Sequence, residues 1–239
     1  MKSIVITSDS LRHIEFVERI KEVVKPLLIF MVPKKKKASR IDNDIMKSEL
    51  NFFHKRLSWV RDENIITCDT KQLHSKRATD MMIDANPDYM FVFGGPLLRK
   101  NVFQIPRLGA INIHTGLVNH YRGVDSTYWA LYDNRPDLIG TTLHYIDDSI
   151  DGGNIIQQNT LSNIQASDTP ESLFIKACNL GFDMLVNKIG SGIPVGKKNI
   201  KLGKLFQKKD MNDSIIDQVK SRTSSLLEEY LVGNNSRFM

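Results

Sequence analysis

The stretch KSIVITSDSLRHIEFVERIKEVVKPLLIFMVP, residues 2 to 33, decides the fold. KSIVIT, at 2 to 7, is a short β-branched run that breaks into polar residues, and it reads as a buried strand. Beyond it Leu11, Ile14, Val17, Ile20 and Val24 recur at spacings of three and four, the period of a helix with one apolar face. PLLIFMVP, at 26 to 33, is a second apolar run. Strand, helix and strand in this order imply a right-handed crossover and a parallel pair.

The rhythm continues outward. Ile45, Leu50, Phe53 and Leu57 mark a helical stripe over 41 to 58, IITC at 65 to 68 is a short strand, and 71 to 86 is a further helix. YMFVFGG (89 to 95) and GAINIHT (109 to 115) are the next two strands, so the first half is an α/β unit with a mainly parallel sheet. After 115 the pattern changes. A short helix at STYWALYD (126 to 133) precedes two runs, IGTTLHYID (139 to 147) and NIIQQNTLS (154 to 162), close enough to pair antiparallel at the end of the sheet. Thr169 and Pro170 suit the N-cap and first position of a long helix that stops near the GSG at 190 to 192. Residues 1 to 192 are therefore expected to form the main domain. Residues 193 to 239 form a polar extension with one amphipathic helix, 214 to 231, expected to dock on its own domain, with a homodimer seam as the alternative.

A chain of 239 residues with 41% hydrophobic and 25% charged residues can bury one sound core, and the values exclude general disorder and a fibrous repeat. The net charge of +6 suits a polyanion, a membrane surface or small anionic substrates. Its densest basic run is KKKK at 34 to 37, which reads as a solvated loop. Cys68 and Cys178 are too few for a disulfide framework or a zinc site, and no metal is expected. The N-terminal apolar run is too short for a signal peptide and no stretch is long enough to span a bilayer, so the expectation is a cytoplasmic protein without a nucleic-acid or membrane partner.

Chemistry concentrates in two segments. In AINIHTGLVNHYRG, 110 to 123, Asn112 and His114 lie two apart at the end of a strand and share a face. In HYIDDSIDGGNII, 144 to 156, Asp147, Asp148 and Asp151 occupy a glycine-containing loop between strands. Taken alone, the pair reads better as a turn-capping amide and a hydrogen-bonded core histidine, and Asp151 also suits an ordinary turn. Convergence of all three on the carboxyl edge of the sheet, where sites form in open α/β folds, favours a site. His144, in mid-strand, reads as structural, and the turn residue His120 is left undecided.

Together NIH at 112 to 114, TGLVNHYRG at 115 to 123 and DGG at 151 to 153 resemble the pattern of the formyltransferases that use N10-formyltetrahydrofolate. That pattern is Asn-x-His, a leucine-rich turn, an aromatic residue with Arg or Lys and Gly, and a later Asp-x-Gly loop. The resemblance covers roughly residues 1 to 190 and departs from the pattern at GLVNHY, where a proline often follows the leucines. It implies the formyltransferase fold: a Rossmann-like twisted sheet with helices on both faces, followed here by the short helical extension. It implies a catalytic trio of Asn112, His114 and Asp151, with the amide and the imidazole aimed at the oxyanion and Asp151 orienting the imidazole. It implies folate contacts at Gly95, Pro96, Leu97 and Leu98, with the loop of Ile146, Asp147 and Asp148 closing on the other side.

Within the family, the purine-pathway members begin with a glycine-rich phosphate loop, and this chain has no glycine before Gly94. The methionyl-tRNA members carry a C-terminal barrel, whereas the residues after 190 read as a polar loop and a helix. The chain is thus most similar to the sugar N-formyltransferases, which act on a nucleotide-linked amino deoxysugar in surface-polysaccharide and lipopolysaccharide synthesis. The expected acceptor contacts are Ser8, Asp9, Arg12, His13, Tyr121, Arg122, Tyr128 and Trp129, with Lys34 as a further counter-charge. Phosphoribosylglycinamide formylation is the alternative within the family, and a non-catalytic basic binding protein the alternative outside it.

Overall fold

The computed structural model describes residues 1–33, 39–53 and 64–235. The lysine run at 34 to 37 and Leu57, with the part of its helix beyond residue 53, lie outside the described residues. Five strands run parallel: β1 (Ser3–Thr7), β2 (Leu28–Met31), β3 (Ile65–Thr67), β4 (Tyr89–Phe93) and β5 (Gly109–His114). Two antiparallel strands, β7 (Gly140–Tyr145) and β8 (Ile155–Thr160), complete a seven-stranded sheet of order β3-β2-β1-β4-β5-β7-β8. A separate two-stranded sheet pairs β6 (Tyr121–Gly123) with β9 (Lys204–Phe206) in parallel, an element the hydrophobic pattern did not announce.

Alternation along the strands builds the two faces. On β1, Val5 joins a core with Phe16, Val17 and Ile20 of α1 (Leu11–Val23) and Phe182 and Leu185 of α7 (Pro170–Ser191). Ile4 and Ile6 point the other way, into a core with Leu73, Met82 and Val102. These last come from α3 (Thr70–Leu73), α4 (Lys76–Ala85) and α5 (Lys100–Phe103). The single helix expected over 71 to 86 is thus two. His74 ends the first and Ser75 caps the second by accepting the Ala78 N–H, a local bond that competes with a continuous helix.

A third cluster packs α2 (Arg40–Phe52), α6 (Ser126–Tyr132) and α8 (Asp213–Asn235) together: Ile41 and Ile45, Tyr128 and Trp129, and Ile216, Val219 and Leu227 are all buried in it. The extension beyond 192 therefore shares a core with the domain that precedes it. Thr169 forms a capping box with Ser172 at the start of α7. Among the described residues, no helix is long and apolar enough to cross a membrane.

Candidate active site

The strand order reverses between β1 and β4, and the loops leaving their carboxyl ends part there to form a crevice. Ser8, Asp9, Arg12 and His13 on one side and Gly94, Gly95 and Pro96 on the other line a cavity of about 790 Å³. It continues into a second one of about 360 Å³, where Asn112, His114 and Asp151 meet. Arg12, His13, Asp42, Gly94, Gly95 and Lys208 line both, so the two are lobes of one trough. Gly94 is required where it stands: its φ is +64° and an added Cβ would lie 2.0 Å from Nε2 of the buried His13 ring.

Asn112 and His114 share a face of β5 because of the two-residue period, and Asp151 arrives from the loop after β7. His114 Nε2 lies 2.8 Å from the Tyr121 carbonyl, which only accepts, so Nε2 carries the hydrogen and Nδ1 is left facing Asp151 Oδ2 at 3.4 Å. Ser126 Oγ, at 3.3 Å, is a second neighbour of Nε2. Asp151 also accepts the Gly123 N–H at 2.7 Å, and its other oxygen is 3.5 Å from His144 Nε2. Burial on its own would raise the Asp151 carboxyl. The His114 and His144 imidazoles and the Gly123 N–H outweigh burial and hold it well below the usual carboxylate range.

His144, read from sequence as structural, is thus part of the site. It faces Asn112 directly across the β5–β7 ladder, and Asn112 Nδ2 donates to its Nε2 at 3.1 Å while its Nδ1 bonds the Tyr145 carbonyl. Its signal in the sequence was the pairing of 112 with 144, which is visible only once the β5–β7 register is known. The turn at 116 to 118, where the sequence departs from the family pattern, is tied down by Thr142. Its hydroxyl bonds the Gly116 carbonyl at 2.7 Å and accepts the Val118 N–H at 3.3 Å.

The remaining expected site residues divide. Leu97 is 75% exposed beside the cavity, while the Leu98 side chain is buried with Val102 and Ala110, and Ile146 packs on the same cluster. Lys100 pairs with Asp148 at 3.6 Å, so the segment after β4 and the Asp loop stand face to face. Asp147 accepts the Ser149 N–H at 2.8 Å and so shapes the loop. Arg12 is buried in an ion pair with Glu49, its guanidinium over the Phe174 ring. Tyr128 lines the inner lobe but donates its hydroxyl to Glu171 at 2.7 Å.

Three residues differ from expectation. Tyr121 of β6 and Trp129 of α6 line another cavity, of about 440 Å³, together with Tyr132, Arg135, Lys204 and Phe206. Arg122, expected at a phosphate, donates instead to the carbonyls of Gly203 and Ile150, at 2.9 and 3.1 Å. His120 falls with Tyr121 and Trp129, and burial lowers its basicity. Lys208, from the extension, was missed; it reaches both lobes and lies 3.4 Å from Asp42, and nothing local in the sequence marks it.

Comparison with known proteins agrees with this architecture. A methionyl-tRNA formyltransferase of Methylacidiphilum infernorum (isolate V4) is 32% identical over 142 residues, 57% of this chain and 43% of that protein. The chain spans less than half the length of such curated relatives. Among solved structures, a sugar N-formyltransferase from Shewanella sp FDAARGOS_354 superposes with a TM-score of 0.64 at 15% identity, covering 94% of this chain and 88% of that one. An N-formyltransferase from Helicobacter canadensis, in complex with folinic acid and dTDP-3-aminofucose, gives 0.57 at 19% identity and covers 94% and 81%. The model of the formyl transferase family matches residues 1–189, a span that holds the whole seven-stranded sheet and the trio, and the chain belongs to that family.

Proposed function

We propose that the protein transfers the formyl group of N10-formyltetrahydrofolate to the amine of a nucleoside-diphosphate-linked amino deoxysugar. The observation that carries this reading is the trough: an inner lobe holding Asn112, His114 and Asp151 opens into an outer lobe of about 790 Å³, room for a large acceptor whose amine enters first. Lys71 and Lys208 stand on the outer wall as counter-charges for phosphate. The structural neighbour complexed with folinic acid and dTDP-3-aminofucose supports the same pairing of ligands.

The bound donor supplies a formyl carbon for the amine to attack, and negative charge then develops on the formyl oxygen. Asn112 keeps one amide hydrogen on His144 and has the second for that oxygen, in a site where removing such a donor costs on the order of 100- to 1000-fold in rate. His114 has its Nε2–H engaged by Tyr121, so it works through Nδ1, beside an ionised Asp151. That pair accepts the proton released by the attacking amine and passes it to N10 of the folate as the bond between the formyl carbon and N10 breaks, so that tetrahydrofolate leaves and the formylated amine remains. This reading divides labour that the sequence assigned jointly to the amide and the imidazole.

The test is mass spectrometry of mixtures holding the protein, N10-formyltetrahydrofolate and a panel of dTDP-, GDP- and UDP-linked amino sugars, with glycinamide ribonucleotide and methionyl-tRNA alongside. The expected result is one formylated sugar nucleotide, with Asn112→Ala and His114→Ala each slower by on the order of 100-fold or more. Formylation of glycinamide ribonucleotide or of methionyl-tRNA alone would replace the acceptor, and tight RNA binding without turnover would replace the reading.

A further inference from the structure

We propose that β9 of the C-terminal extension, acting through Arg122, positions the His114–Asp151 pair; the inference rests on the assignment of that pair given above. Three consecutive residues of β6 hold both members. The Tyr121 carbonyl accepts from His114 Nε2, the Gly123 N–H donates to Asp151 Oδ2, and the Arg122 guanidinium bonds the carbonyl of Ile150, the residue before Asp151. Whatever places β6 therefore sets the distance between imidazole and carboxylate.

A strand of three residues has little stability of its own, and the only strand paired with β6 among the described residues is β9. The two segments are closed together along their length. Gly203 N–H donates to the Val118 carbonyl at 2.9 Å, Lys204 N–H to His120 at 3.0 Å, and Val124 N–H to Phe206 at 3.1 Å. Gly123, at φ +87°, comes so close that an added Cβ would lie 2.0 Å from the Phe206 carbonyl oxygen. Arg122 adds the cross-tie: its Nε donates to Gly203, next to β9, while its Nη1 donates to the Asp loop. Phe206 anchors β9 in turn, stacked on Trp129 at 4.2 Å between ring centroids.

The brace lies beyond residue 189, where the match to the family model ends, so this chain completes its catalytic geometry with residues outside that shared segment. Arg122 is a positioning residue, since its bonds are to main-chain carbonyls of this chain. A displacement of about 1 Å at a reacting centre costs on the order of 100-fold in rate, and that is the scale expected here.

The test uses the full-length chain with Arg122→Met, Arg122→Lys and, as a control, His114→Gln. With the sugar nucleotide found in the panel, Arg122→Met is expected to lower kcat by on the order of 100-fold while each KM stays within roughly threefold. Arg122→Lys, whose ammonium reaches one of the two carbonyls, is expected to recover part of the loss. A second readout needs no acceptor: in ¹⁵N-labelled protein the His114 Nε2–H signal, assigned by its absence in His114→Gln, should be protected from water exchange and lose that protection in Arg122→Met. A kcat within twofold or so of wild type with the signal still protected would overturn the inference. So would a loss of activity that follows the unfolded fraction in the melting curve. Full activity in His114→Gln would instead remove the pair assignment on which the inference stands.

Discussion

Asp151 concentrates the physics of the site in one residue. Its backbone is held at φ +50°, its carboxylate touches two imidazoles and a main-chain N–H, and its acidity is increased against the pull of burial. A carboxyl whose pKa is lower in the folded than in the unfolded chain adds stability that is complete above the unfolded value of about 4 and is lost as pH falls toward the folded value. Asp151→Asn removes that contribution. The wild type's advantage over it in urea melts should be full at about pH 5 and shrink by about pH 3. A gap independent of pH over that range would mean that the carboxylate is not held as described. The residue types of the trio were legible because a two-residue spacing on a strand and an Asp-Gly-Gly turn are local signals. The engagement of His144 was not, since it depends on the β5–β7 register that sets it opposite Asn112, a residue 32 positions away.

At the scale of elements, helix periods and caps were readable, and the contacts that join helices were not. Lys220 of α8 lies 2.6 Å from Asp44 of α2 and 2.8 Å from Glu171 of α7, which also accepts the Tyr128 hydroxyl from α6. Four helices thus meet in one charged cluster. Burial would raise Glu171, but Lys220 and Tyr128 outweigh it and lower its pKa; Asp44 is lowered chiefly by its bond to Lys220. Lys220→Met leaves a nearly buried carboxylate with one partner fewer and is expected to cost about 1–2 kcal/mol in chemical denaturation at neutral pH. Since both carboxyls are lowered, this cost should be present above about pH 4 and fade below it. No difference between variant and wild type at neutral pH would show that solvent screens the cluster fully. The split of the helix expected over 71 to 86 belongs to this scale too: Ser75 was on the page, but its choice of the Ala78 N–H over helix continuity is a local competition that periodicity does not score.

For the molecule as a whole, the consequential fact is that the extension is not an appendage in packing terms. Leu227 is fully buried in the cluster that also holds Trp129 and Ile139. Leu227→Ala should cost about 2–5 kcal/mol, and calorimetry should show one cooperative transition displaced as a unit. A separate low-temperature transition for α8, with the main melt unmoved, would contradict a shared core.

The sequence by itself determined the strand and helix order through residue 192, the parallel start and antiparallel end of the sheet, and the edge at which Asn112, His114 and Asp151 gather. Those follow from periodicity, turn chemistry and the handedness of crossovers, all written in neighbouring residues. Only the tertiary structure decided that β9 supports β6, that Arg122 ties two loops, that Trp129 lines a cavity other than the trio's and that Lys208 reaches the trough. Each of these joins segments far apart in the chain, and short polar strands or lone lysines acquire a partner only after the core has placed them.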